Sequence, residues 1–103
     1  MIKITATREN GKIINLTVIG HANSAPEGKD LVCAAVTAVA IGGLNNLKNV
    51  KNFKIEIKEG LISVEAIEEI IEHDEIVMET LICGLKTIEE ENGDFISIKK
   101  ENF

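Results

Sequence analysis

The order of the hydrophobic patterns predicts a two-layer α+β fold, β-β-α-β-β-α-β, with two helices on a sheet of about five strands. Three features carry that reading. Two pairs of alternating segments are each joined by a Gly-containing turn, an Ala-rich run without charge lies between the pairs, and an amphipathic run precedes a last short strand. A chain of 103 residues leaves room for one domain, spanning 1–103.

Ile2, Ile4 and Ala6 alternate with Lys3, Thr5 and Thr7, Asn10-Gly11 supplies a turn, and Ile14, Leu16 and Val18 resume the alternation. The second hairpin places Phe53, Ile55 and Ile57 before Glu59-Gly60, and Ile62, Val64 and Ala66 after it. Between the hairpins, Asp30 is the expected N-cap of a helix from Leu31 to about Leu47. From about Asp74 to Asn92, Val77, Met78, Leu81, Leu85 and Ile88 recur at helical spacing, with Gly93 as the expected C′ residue. The segment from Ile67 to Glu72 is compatible with a strand extension, a connection or an early helix start. Phe95, Ile96 and Ile98 then read as a closing strand.

The first helix has no polar face. In a two-layer domain one of its sides would meet water, so the pattern predicts a homodimer in which that helix meets a partner surface. Seventeen acidic against eleven basic residues, a net charge of −6 and the absence of Trp and Tyr argue against a direct nucleic-acid ligand. No stretch is long and apolar enough for a membrane span. The start alternates instead of showing a signal peptide, so a cytoplasmic protein with two free thiols, Cys33 and Cys83, is expected.

The chemically informative segment runs from Gly20 to Ala35. It places His21 at a strand end and Cys33 in the first turn of the following helix, beside backbone N–H groups and the positive end of the helix dipole. Both features stabilise a thiolate, and the same N–H groups are candidates to hold an oxyanion. An imidazole brought close would complete a nucleophile and base pair. Residues 22–29 are small or turn-favouring and suit a loop that closes over a peptide. Gly20 suits an unusual backbone angle or a close approach. Asp30 is read first as a cap, with orientation of His21 as its other possible task.

Gly20-His21-Ala22, followed by Gly28-Lys29-Asp30-Leu31-Val32-Cys33-Ala34-Ala35-Val36-Thr37, closely resembles the signature of the ribosomal-processing cysteine protease (Prp) family. The resemblance extends to length, element order and Gly84-Leu85 with Ile88 in the second helix. It implies a homodimeric cysteine endopeptidase that removes the N-terminal extension of bacterial large-subunit ribosomal protein L twenty-seven. Cys33 would be the nucleophile and His21 the general base, with Gly20, Asp30 and Thr37 supporting the site or the substrate. Neither a metal nor an organic cofactor is implied. Thr37 departs from the family's Ser, and Asn23-Ser24 stand where many relatives carry an aromatic residue.

Against this stand blander readings. A Cys in an Ala-rich helix is more often packing than chemistry. Cys83, beside Ile82 and Gly84, reads as core, His73 as an exposed residue at a helix start, and Glu89-Glu90-Glu91 as a solvated helix end. A metal site from His21, Cys33, His73 and Cys83 lacks the paired spacing of zinc sites. The competing function is a non-catalytic, ribosome-associated dimeric module that binds peptide without cutting it.

Overall fold

The computed structural model describes residues 1–22 and 30–103. Its elements are β1 (Ile2–Glu9), β2 (Lys12–Ile19), α1 (Leu31–Leu44), β3 (Phe53–Lys58), β4 (Leu61–Ala66), α2 (Glu72–Glu91) and β5 (Ile96–Glu101). The sheet order is β3-β4-β2-β1-β5, antiparallel throughout except where β5 lies parallel to β1. The element order read from the sequence is thus the order observed. Of the segment left open, Ile67 to Glu72, residues 67–71 are connection and Glu72 begins α2.

Period-two alternation becomes rows of side chains on the core face. Ile98, Ile4, Val18, Ile62 and Ile57 form one row across all five strands. Ala6, Leu16, Val64 and Ile55 form the next. The residues between them, such as Lys3, Thr5, Thr17 and Glu65, point to the other face and are half-buried or exposed. Toward the β3 edge the cover thins, and Ile57 is 49% exposed although it shares a row with buried Ile62.

One position in the first hairpin differs from the simple alternation. Thr7 pairs with Asn15 while Arg8 pairs with Ile13, so Ile14 is the extra residue of a β-bulge. The bulge reverses the facing of the strand on its turn side. Ile13 is therefore buried, and Ile14, expected in the core, is only half-buried.

Helix α1 uses its sides differently. Val32, Val36, Ala40 and Leu44 form a buried stripe at four-residue spacing. A second side meets α2 at close range. A β-carbon on Gly43 would lie 2.8 Å from Leu81 Cδ1 and 3.2 Å from Leu81 Cβ, and one on Gly84 would lie 2.8 Å from Val39 Cγ1. The two glycines thus remove the side chains that would hold the helices apart. The third side is uncharged and open, with Leu31 80% exposed and Ala34 and Ala38 exposed.

The helix ends where its loop is captured by α2. Asp74, fully buried, accepts from the backbone N–H of Lys48 at 2.8 Å and of Asn49 at 2.9 Å. His73 is half-buried, not simply exposed, with Nδ1 2.8 Å from Asp74 Oδ1. These bonds draw the chain out of the helix, which stops at Leu44 and not near Leu47. At the other end of α2, Asn92 is the C-cap with φ −137°, so Gly93 does not supply the expected left-handed cap. The three glutamates there are not equivalent. Glu89 Oε2 accepts from the Ile98 N–H of edge strand β5 at 2.8 Å, which ties α2 to the sheet and covers a strand edge.

Cys83 is exposed rather than part of the core. At about 100° per residue it sits roughly 200° from Leu81, on the side of α2 opposite the buried stripe. Its apolar neighbours in sequence therefore do not share its face. Among the described residues no helix is long and apolar enough to cross a membrane.

Candidate functional site

The site forms where the end of β2 meets the first turn of α1 and the β3–β4 turn. Gly20, directly after β2, has φ +103°, and a β-carbon there would lie 2.5 Å from the Met1 carbonyl oxygen. Of the alternatives expected of this position the unusual backbone angle is observed, and the close approach is that of the chain's own Met1; both depend on the absence of a side chain. Gly20 N–H donates to Gly60 O at 2.9 Å, and the Met1 nitrogen donates to His21 O at 2.7 Å. The backbone on both sides of His21 is thereby fixed to the β3–β4 turn and to the start of β1. The His21 side chain is exposed.

Asp30 is the N-cap of α1, with extended backbone and Oδ1 accepting from Cys33 N–H at 3.0 Å. A cap of this kind contributes about 1 kcal/mol. Cys33 is therefore at N3 as expected, and its side chain is half-buried. Capping also alters the expected chemistry. Asp30 occupies the N–H groups of Cys33 and, through its carbonyl, of Ala34 at 3.1 Å, so these two are not available to an oxyanion. The donor that reaches the sulfur comes from the opposite wall: Ala22 N–H lies 3.2 Å from Cys33 Sγ. Nothing in the local spacing marked Ala22 for this, because the contact joins two elements.

The resulting cleft has a volume of about 280 Å³ and is lined by Gly20, His21, Cys33 and Thr37 together with residues 57–62. Its floor is apolar, with Ile2, Val18, Val36, Ile41 and Ile62. Thr37 is exposed one turn beyond Cys33 and lines the same cleft. Of the five residues singled out in the sequence, four line this cleft and Asp30 holds the helix beneath it. The expected closing loop over 23–29, including Asn23-Ser24, lies outside the described residues. The hairpin wall, from Ile57 to Leu61, was not anticipated.

A half-buried thiol with a backbone donor on its sulfur and an imidazole in the same cleft is the equipment of a thiol hydrolase. The family model described as Cysteine protease Prp matches residues 1–97. The chain belongs to the Prp cysteine protease family. It is 35% identical to the ribosomal processing cysteine protease Prp of Bacillus subtilis, over 95% of this chain and 96% of that protein. The protein of the same name from Staphylococcus aureus is 26% identical, over 95% of this chain and 97% of its own length. A crystal structure of the essential ribosomal processing protease Prp from S. aureus, in complex with a covalently linked product peptide, superimposes with a TM-score of 0.87 at 25% identity. That match covers 98% of this chain and all of the other. The protein is thus a Prp-family cysteine protease, and the fold assigned from its sequence is the family's fold.

Proposed function

We propose that this protein removes the N-terminal extension of large-subunit ribosomal protein L twenty-seven, with Cys33 as nucleophile and His21 as general base. The observation that carries the reading is the convergence of both side chains on one cleft, while Cys83 lies on the exposed side of α2. The names of the relatives support a ribosomal substrate, and the net charge of −6 suits a strongly basic one.

In this mechanism His21 takes the proton from Cys33 Sγ as the sulfur attacks the scissile carbonyl carbon. The carbonyl oxygen becomes an oxyanion beside the sulfur, and Ala22 N–H, released as the sulfur gives up its charge to the new C–S bond, is the neighbouring donor that turns to it. The C–N bond then breaks, and His21 returns its proton to the leaving amine. Water attacks the thioester, giving up a proton to His21, and the carboxylate product leaves a restored thiol. Gly20, Asp30 and Thr37 act in support: Gly20 shapes the backbone at His21, Asp30 holds the first turn under Cys33, and Thr37 contacts the peptide.

The direct test incubates purified protein with the same organism's unprocessed ribosomal protein under reducing conditions and follows intact mass. One N-terminal cut by the wild type, absent with Cys33→Ala, is expected. No cut with both proteins folded and the extension present would leave the non-catalytic binding module as the better account. Thiol reactivity gives an independent check. Cys83 is the more exposed cysteine, so access alone would favour it. Near neutral pH iodoacetamide is nevertheless expected to label Cys33 faster, because His21 lines the same cleft and is placed to take the proton as the sulfur reacts. Labelling that follows exposure instead would remove the activated thiol from the mechanism.

The same proposal includes a homodimer formed through the open side of α1. Leu31, Ala34 and Ala38 present an exposed apolar surface on a helix with no charged residue, and a second copy supplies a matching surface by symmetry. Sedimentation equilibrium at micromolar concentration should give the dimer mass. Ala38→Glu should yield monomers, and a wild-type monomer would sink this part of the reading.

A further inference from the structure

We propose that Gly60, in the β3–β4 turn, is a positioning residue for His21: its bare Cα is the seat on which the imidazole ring rests. The inference builds on the reading of His21 as the base. The β2–β4 ladder runs to the pair Ile19 and Leu61, and the bond from Gly20 N–H to Gly60 O extends it by one step. That step carries His21 over the turn. A β-carbon at residue 60 would lie 3.0 Å from His21 Nε2, 3.6 Å from Cε1 and 3.7 Å from Cδ2. The ring edge carrying Nε2 therefore packs on the turn in the space that any other L-residue would fill.

Turn geometry alone does not account for this arrangement. Gly60 has φ +72°, which favours glycine, but Gly11 in the first hairpin has φ +80° and no atom within 4 Å of its would-be β-carbon. The two glycines share one conformational requirement, and only Gly60 has the second. An exposed imidazole on two rotatable bonds needs such a surface to hold one direction toward the cysteine, and small misplacements of a catalytic group are costly in rate.

The pair of glycines also supplies the test. Gly60→Ala and Gly11→Ala impose the same backbone strain, so each should lose similar unfolding stability. Only Gly60→Ala should move the ring resonances of His21, which are resolvable by NMR in a chain with two histidines. It should also lower kcat about tenfold with KM changed by less than about twofold. If Gly60→Ala folds poorly, D-alanine at position 60 by chemical synthesis separates the terms. Its β-carbon takes the other tetrahedral position and suits positive φ, so it should return kcat toward wild type.

A His21 ring whose resonances ignore residue 60, a displaced ring with unchanged kcat, or an equal loss in Gly11→Ala would each overturn the proposal. So would D-alanine as impaired as L-alanine. Failure of the underlying reading of His21 as base is seen separately, as cleavage that survives His21→Ala undiminished.

Discussion

Cys33→Ala should lower substrate cleavage by about 10⁴-fold or more, and His21→Ala by about 10³-fold, with both variants folded. The order follows from the roles. Without the sulfur there is no acyl-enzyme and therefore no covalent route, whereas without the imidazole a thiol can still be deprotonated by solvent. Residual cleavage by His21→Ala should accordingly rise with pH, because solvent and hydroxide then stand in for the imidazole as base, while Cys33→Ala should show no such rise. Stability does not account for the losses. His21 is exposed and Cys33 is only half-buried, so unfolding midpoints in urea should correspond to changes within about 1 kcal/mol. Initial rates measured by intact mass, beside urea unfolding of the same preparations, provide the check. Full cleavage by folded Cys33→Ala would place the nucleophile elsewhere, and equal pH profiles for wild type and His21→Ala would remove the base.

What was legible in the sequence, and what was not, divides by distance along the chain. Alternation at Ile2, Ile4 and Ala6 needs only neighbours and predicted its face correctly. The helix cap at Asp30 needs three residues and was equally plain. The bulge that exchanges Ile13 for Ile14 is a property of two strands together, so neither strand announces it. Cys83 is exposed although its neighbours Ile82 and Gly84 suggest core, because adjacency in sequence is not a shared helical face. The helical turn sends adjacent residues to different sides, and the stripe through Leu81 and Leu85 points away from Cys83. The site divides in the same way. Gly20, His21 and Cys33 stand in one short segment, while the sulfur's donor and the hairpin wall depend on β2 lying beside β4 and α1 above it. A Gly at position 60 announced a turn. That His21 would lie on it required the sheet.

Removal of Asp74 should have the largest effect on stability. Sequence placed it merely near the start of α2, where acidic residues are common for reasons of the helix dipole. Buried and accepting from the N–H groups of Lys48 and Asn49, it instead holds the chain that leaves α1. Asp74→Ala leaves both donors without their acceptor in a partly buried site, at about 1–3 kcal/mol each. A loss of roughly 2–4 kcal/mol is expected, a large share of the stability of a domain this size. Asp74→Asn keeps one acceptor but turns an amide donor toward an N–H, and should fall between. Both lie at the far end of α1 from Cys33, so whatever remains folded should still cleave.

The ionised form is favoured on balance. Burial acts to raise the Asp74 pKa, but the hydrogen bond with His73, the two backbone N–H donors and the charge of His73 outweigh it and hold it below 3.8. A carboxyl whose folded value is depressed contributes stability that is present above its unfolded value and lost as pH falls through the folded one. Urea unfolding from pH 6 down to pH 3 should therefore show wild type losing stability faster than Asp74→Asn, the two curves converging at the acid end. Parallel curves would mean that the carboxylate's charge contributes nothing, and that the two hydrogen bonds act as a neutral amide's would.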